Sequence, residues 1–250
     1  MINPKPYITQ LKAELRRVST LEKAESSRRY FPQGFQCLGA NATDIKCILK
    51  DFQTQHADLN AEQTLTITQA FLKEAQYNEE FLLAFALINK YVKRHYDDAL
   101  LERFEYWLEH YADNWSLVDD LCLKSIYNFL MTRPHLISSM QHWAHSKSPW
   151  CRRAACVVWV KFIKRKIGKE IYYLDSVLVF KQCDLLLDDD NEFVQKAVGW
   201  LLKVTSVEHE AKVVGFIEVN IARFTRPTLR YAIEKMSIET RNAMLQIPKG

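Results

Sequence analysis

The sequence predicts an all-α protein, and three observations predict it. Apolar residues recur at helical spacing in almost every segment, as in Phe81, Leu82, Ala84, Phe85, Leu87 and Ile88, or Leu121, Cys122, Ile126, Phe129 and Leu130, and sustained strand-type alternation is hardly seen. Only six glycines and seven prolines occur in 250 residues, and many fall where one apolar stripe ends and the next begins: Pro32 and Gly34, Pro134, Pro149, Gly168, Pro227 and Pro248. Between these breaks lie about twelve stripes of roughly ten to eighteen residues, a normal length for globular helices. Several of them pair, 61–73 with 78–94, 98–112 with 115–131, and 148–166 with 170–187. Paired helices on short turns predict a stacked helical-repeat solenoid, here without a consensus repeat of fixed period, and the concave face of such a solenoid is where a partner would bind. No linker or compositional break appears, so residues 1–250 are expected to form one domain.

A hydrophobic content of 48% over this length is enough for a sizeable core and excludes a disordered chain. The net charge of +4 is mild, but its distribution is not. No acidic residue occurs from Lys147 to Lys169, a stretch that holds Lys147, Arg152, Arg153, Lys161, Lys164, Arg165, Lys166 and Lys169. Asp184, Asp188, Asp189, Asp190 and Glu192 then cluster around an expected turn. This segregation points to a basic surface on one side of the fold, with a solvated helix face as the plain alternative. The six cysteines show no CxxC spacing and read as reduced core residues of a cytosolic protein. His142 and His145 could share a helix face, but no second ligand pair is near them, so no metal and no cofactor is expected. Residues 1–10 have no signal-peptide core and no stretch approaches a membrane span, which predicts a cytoplasmic protein with no membrane association. No long exposed apolar heptad is present, so a monomer is expected.

The chemistry is sharpest at Asn114-Trp115-Ser116-Leu117-Val118-Asp119-Asp120, where a new apolar stripe begins. Residues four apart lie about 40° apart around a helix, so Trp115 and Asp119 present an aromatic plane and an anion to the same spot. Further on, Trp150-Cys151-Arg152-Arg153 offers a cation, and Val194-Gln195-Lys196-Ala197-Val198-Gly199-Trp200 a second indole. Each also has an ordinary structural reading. Asp119 could stabilise the start of its helix, the tryptophans could be packing residues, and Arg153, on a face with Val157 and Val160, could pair with a carboxylate at the edge of the core.

In this order, and with Tyr30 following a Lys-Ala-Glu segment, these motifs resemble the HEAT-like-repeat DNA alkylation-repair glycosylases, the alkylpurine glycosylases of the D type, from about Tyr7 to about Met236. The resemblance implies a HEAT-like α-α superhelix with a concave basic face for double-stranded DNA. It also implies excision of 3-methyladenine and 7-methylguanine type lesions without full base flipping. Asp119 stands at the catalytic aspartate of that family, Trp115 and Trp200 at its two cleft indoles, Arg153 at its phosphate-contacting arginine and Tyr30 at an N-terminal cleft tyrosine. Arg152, Lys161, Lys164, Arg165 and Lys166, with Arg223, Arg226 and Arg230, are the candidates for phosphate neutralisation. Two positions depart from the family: Ser116 stands where relatives often carry an acidic residue, and Leu-Leu-Lys-Val follows Trp200 where they often have an Arg-Glu pair.

The physics suits these roles. A cationic alkylpurine leaves without a general acid, so the enzyme must stabilise the cationic sugar. A fixed carboxylate about 4 Å from that charge is worth about 4 kcal/mol at an effective dielectric of about 20, or roughly three decades in rate. Asp119 could also orient the attacking water, and each indole face could add roughly 0.5–2 kcal/mol. On this reading Asp119→Asn keeps the fold and the DNA affinity and loses excision. Two rivals share the fold: a non-catalytic protein that binds damaged or branched DNA, and a peptide-binding scaffold.

Overall fold

The computed structural model describes residues 2–31, 34 and 36–248. The expected break at Pro32, with Gln33 beside it, lies outside the described residues. Helix accounts for 69% of the chain, in agreement with the all-α expectation. The chain divides into two compact units, residues 1–100 and 101–250.

The first unit contains α1 (Lys5–Val18), α2 (Leu21–Arg28), α3 (Ala42–Gln55), α4 (Ala61–Glu74) and α5 (Asn78–Leu87), the last running into a tight turn at Ile88–Lys90. Asn41 and Asn60 cap α3 and α4 through their side chains, and Asp44 and Gln63 return the bond to each cap's own N–H. Ile8, Leu11 and Leu15 of α1 meet the buried faces of α3 and α4, whose anchors are Ile48, Phe52, Ile67 and Phe71. The paired stripes at 61–73 and 78–94 are the packed pair α4 and α5, with α5 ending earlier than its stripe.

A carboxylate buried in this unit fixes the segment before α3. Glu79 accepts the N–H groups of Leu38, Gly39 and Ala40 at 3.0, 2.8 and 3.2 Å. Gly39 has φ +95°, and a Cβ there would stand 2.1 Å from the Thr20 carbonyl oxygen. Strained backbone and a steric clash with backbone combine at this position, so Gly39→Ala should lower unfolding stability by about 2–4 kcal/mol. A denaturant titration checks it; an unchanged midpoint would show that the segment relaxes freely.

The second unit holds α6 (Leu100–His110), which begins at the boundary, then α7 (Trp115–Asp120), a wide π turn (Leu121–Ile126) and α8 (Tyr127–Leu130) in one continuous helical run. Short turns follow at Pro134–Leu136 and Ser139–His145 before α9 (Pro149–Val157). The strands β1 (Lys164–Ile167) and β2 (Glu170–Tyr173) precede α10 (Ser176–Leu186), α11 (Glu192–Asn220, kinked at His209), α12 (Arg226–Ala232) and α13 (Ile238–Gln246). The centre of this unit is α9, which packs on α7, α10 and α11 through Cys151, Ala154, Ala155, Cys156 and Val157. Alanines at two adjacent positions let the neighbouring helices approach it closely. Gly199 does the same on α11, where a Cβ would lie 2.9 Å from the Thr228 carbonyl oxygen of α12.

One element departs from the expected pattern. The paired stripes at 148–166 and 170–187 are not single helices, because α9 stops at Val157, an antiparallel hairpin follows, and α10 begins only at Ser176. Ile167 pairs with Glu170 across the two-residue turn Gly168-Lys169, and Gly168 at φ +62° supplies the positive φ that such a turn needs at its first central position. Both faces of the ribbon are largely exposed, so its residues show no apolar alternation to announce a strand. Its anchor is Tyr172, edge-on to the buried Phe162 at 6.4 Å. Lys164, Arg165 and Lys166 therefore project from a ribbon and not from a helix. Among the described residues no helix is long and apolar enough to cross a membrane.

Candidate active site

The site is assembled within the second unit by α7, α9 and the start of α11. Asn114 caps α7, its side-chain oxygen accepting the N–H groups of Ser116 and Leu117 at 2.9 and 3.1 Å. With capping done by Asn114, Asp119 at the far end of this short helix is available for another partner. That partner is Arg153. Its Nε donates to Asp119 Oδ1 at 2.9 Å and its Nη2 to Oδ2 at 2.8 Å, the parallel two-bond geometry of strong Arg–carboxylate pairs. The remaining nitrogen, Nη1, donates to the Phe193 carbonyl of α11 at 2.6 Å. One guanidinium thus ties together three helices.

The pair is not symmetric toward solvent. The Arg153 side chain keeps 7% of its exposure and that of Asp119 16%, so the carboxylate is the outer member. Burial pushes the Asp119 carboxyl above the usual aspartate range, while the Arg153 charge and hydrogen bonds pull it back down, with burial the larger effect. Asp120 is raised as well, again by burial first, and Lys124 one turn later pairs with it. Directly after the two aspartates the helix widens into the π turn, a local feature often found at functional positions.

Trp115 lies one helical turn before Asp119 on α7 and is half-buried. Trp200 is half-buried on α11, seven residues after Phe193 and so on the same side of that helix as the residue whose carbonyl Arg153 holds. The residues read from the sequence as Asp119 and Arg153 are in direct contact, with Trp115 and Trp200 on the helices that Arg153 joins. Tyr30 belongs to the first unit, at the end of α2, with its side chain largely exposed.

The basic candidates separate into two groups. Arg152 is fully engaged: Nε and Nη2 bond Asp189 at 2.5 and 3.0 Å, and Nη1 bonds the carbonyls of Ser146 and Lys147. Lys164 pairs with Glu208 at 2.8 Å, and Arg223 with Asp184 and Asp188. Lys161, Arg165, Arg226 and Arg230 have no carboxylate partner among the described residues, and Arg226 bonds only the Leu245 carbonyl at 3.0 Å. Charge available to an outside anion is therefore concentrated in this second group.

Sequence reading missed two parts of this neighbourhood. The Asp120–Lys124 pair was open to it as an i,i+4 spacing, but the Phe193 carbonyl contact is invisible in a sequence. Glu105, Glu109 and Cys151 bring possible metal-ligand atoms within 4.8 Å of one another. His142 already bonds Glu105 at 2.8 Å, Ser146 bonds Glu109 at 2.6 Å, and burial raises the Cys151 thiol to about 12, so the cluster is satisfied within the protein.

The fold and the site define a helical protein with a buried Arg–Asp pair between helices that carry two indoles. The family model described as DNA alkylation repair enzyme matches residues 11–236, and the chain belongs to that family. No curated protein matches it. Among solved structures it is similar to a predicted DNA alkylation repair enzyme from Enterococcus faecalis, at 17% identity and a TM-score of 0.75, over 88% of this chain and 97% of that one. A second is the Pseudomonas fluorescens alkylpurine DNA glycosylase AlkC bound to DNA containing an abasic site analog, at 16% identity and a TM-score of 0.41, over 82% of this chain and 66% of that one. The Enterococcus structure shares the fold.

Proposed function

We propose that this member of the family is a DNA glycosylase of HEAT-like architecture that hydrolyses the N-glycosidic bond of cationic alkylpurines in duplex DNA, 3-methyladenine and 7-methylguanine among them. The observation that carries this reading is the Arg153–Asp119 pair, with its carboxylate on the outer side and one turn from Trp115. A fixed anion beside two indoles suits a leaving group that is already cationic and leaves positive charge on the sugar. As the C1′–N bond breaks, its electron pair goes to the base and neutralises it, and positive charge develops on the sugar. Asp119 stabilises that charge, and Trp115 and Trp200 offer electron-rich faces to it. Water then bonds to C1′ and gives up its proton, for which Asp119 is the acceptor in the site. Arg153 favours the ionised carboxylate against the larger effect of burial and fixes its direction, so its part in the reaction is positioning. The unpaired cations, Lys161, Arg165, Arg226 and Arg230, are the ones suited to the DNA backbone, and Tyr30 of the first unit is a further DNA contact.

A test follows from the charge that the lesion itself carries. Given duplexes with one 7-methylguanine or one hypoxanthine, the protein should excise the cationic lesion and leave the uncharged one intact. Equal excision of both would show that leaving-group protonation is supplied and that the charge-based account is wrong. Because Asp119 also has a structural partner, a non-catalytic DNA-binding role is the second reading; binding of both duplexes with excision of neither would select it.

A further inference from the structure

Two of the unpaired cations converge on one side chain. The Lys161 ammonium lies 4.6 Å from the centre of the Tyr127 ring, and the Arg165 guanidinium carbon lies 5.1 Å from it. Tyr127 begins α8, directly after the π turn, and its ring is held at 5.4 Å by the fully buried Phe162. Lys161 is held in turn by the Leu123 carbonyl of the π turn, at 2.9 Å. The ribbon that carries Arg165 is seated on the same Phe162 through Tyr172. A rigid aromatic line from Tyr172 through Phe162 to Tyr127 thus brings one cation from the end of the α9 region and one from β1 onto a single ring.

Like charges placed side by side repel one another, and here no carboxylate relieves Lys161 or Arg165 among the described residues. Lys124, itself paired with Asp120, stands beside them, and partial burial together with the charges of Arg165 and Lys124 holds the Lys161 ammonium below the usual lysine range. Elsewhere in this unit Arg152, Arg153, Lys164 and Arg223 are matched by carboxylates. A ring that gathers two unmatched cations is suited to a ligand with a delocalised negative charge and several acceptor oxygens.

We propose that Tyr127, Lys161 and Arg165, with Lys124 beside them, form a binding site for one backbone phosphodiester of duplex DNA, set against the turn that follows Asp119 and Asp120. The site rests on the reading of DNA as the ligand, and it gives that reading a specific anchor near the candidate catalytic carboxylate. Lys161 and Arg165 act as one clamp, since the same ring holds both of them in place. Tyr127 serves as the platform, through its ring and not through its hydroxyl.

The test uses an undamaged labelled duplex, so that it does not depend on excision, and measures affinity across a salt series. The full-length native chain should bind with a steep negative slope of log affinity against log salt. Replacing both cations, Lys161→Gln with Arg165→Gln, should lower the magnitude of that slope by about two, roughly one per cation removed. Each single substitution should cost nearly as much affinity as the double one, because either alone opens the clamp. Tyr127→Phe should bind as the native chain does, and Tyr127→Leu as the double variant does. Both cations are exposed, so their variants should keep the native circular dichroism spectrum. An unchanged slope in the double variant, or strictly additive single losses, would overturn the clamp and leave DNA binding standing. Absence of salt-dependent binding by the native chain would overturn both.

Discussion

Asp119→Asn should slow release of a cationic alkylpurine by about a thousand-fold in single turnover, the order expected from losing a full charge near the developing sugar cation. The sequence alone suggests that this variant keeps the native fold at little cost. The structure alters that expectation, because Asp119 is one half of a buried two-bond pair and its loss leaves the Arg153 charge uncompensated. Breaking such a pair from one side typically costs about 3–5 kcal/mol, so the variant should also melt at a lower temperature, by roughly 10 °C. Activity must therefore be measured well below that transition. A variant that is destabilised yet excises at the native rate would remove Asp119 from the chemistry and leave it a structural residue.

Arg153→Met is the second large effect and separates positioning from catalysis. It strands the Asp119 carboxylate in a buried setting and releases the Phe193 carbonyl, so the single variant should lose about 3–5 kcal/mol of stability. The double variant Asp119→Leu with Arg153→Met should recover much of this loss, since a buried ion pair replaced by apolar side chains is often neutral. It should recover no activity. The pH profile supplies the readout that a merely structural arginine would not move. Asp119 acts ionised, so excision should fall as pH drops through its pKa, which burial has already raised. Arg153 lowers that pKa, and removing it should move the acid limb of the profile to higher pH. A limb that stays in place would mean that Asp119 is not the group whose ionisation the rate follows. The linkage to stability has its own sign. A carboxyl raised by burial favours the folded state below its unfolded pKa, and that contribution is lost as pH rises through the raised value. In the Arg153→Met variant the loss should be larger and should extend to higher pH.

The helices were legible because their apolar stripes are long and glycine or proline marks many of the breaks between them, as at Pro134 and Pro149. The hairpin at 164–173 was not, for a physical reason. A ribbon exposed on both faces has no buried side to impose a period of two, and its lysines read equally well as a solvated helix face. At the candidate site the spacing of Trp115 and Asp119 placed the aromatic and the anion one turn apart, and the face shared by Arg153, Val157 and Val160 left open the pairing that the structure displays. What no spacing could reveal was which aspartate Arg153 would meet, or that Arg152 next to it would turn to Asp189, 37 residues on. Adjacent helix positions point about 100° apart, so two neighbouring arginines enter different surroundings, and only the packing of α7, α10 and α11 around α9 decides what those are. The same limit applies to Tyr127. It looks like any half-buried tyrosine until Lys161 and Arg165 are folded onto it.

The most direct measurement is chromatographic detection of free bases released from methylated duplex DNA by the native chain, with Asp119→Asn alongside in the same assay. Release of 3-methyladenine and 7-methylguanine by the native chain, leaving abasic strands, with loss of release in the variant, is the predicted result. No release by the native chain under conditions where it binds the duplex would contradict the glycosylase assignment and leave a DNA-binding protein in which the Arg153–Asp119 pair serves the fold alone.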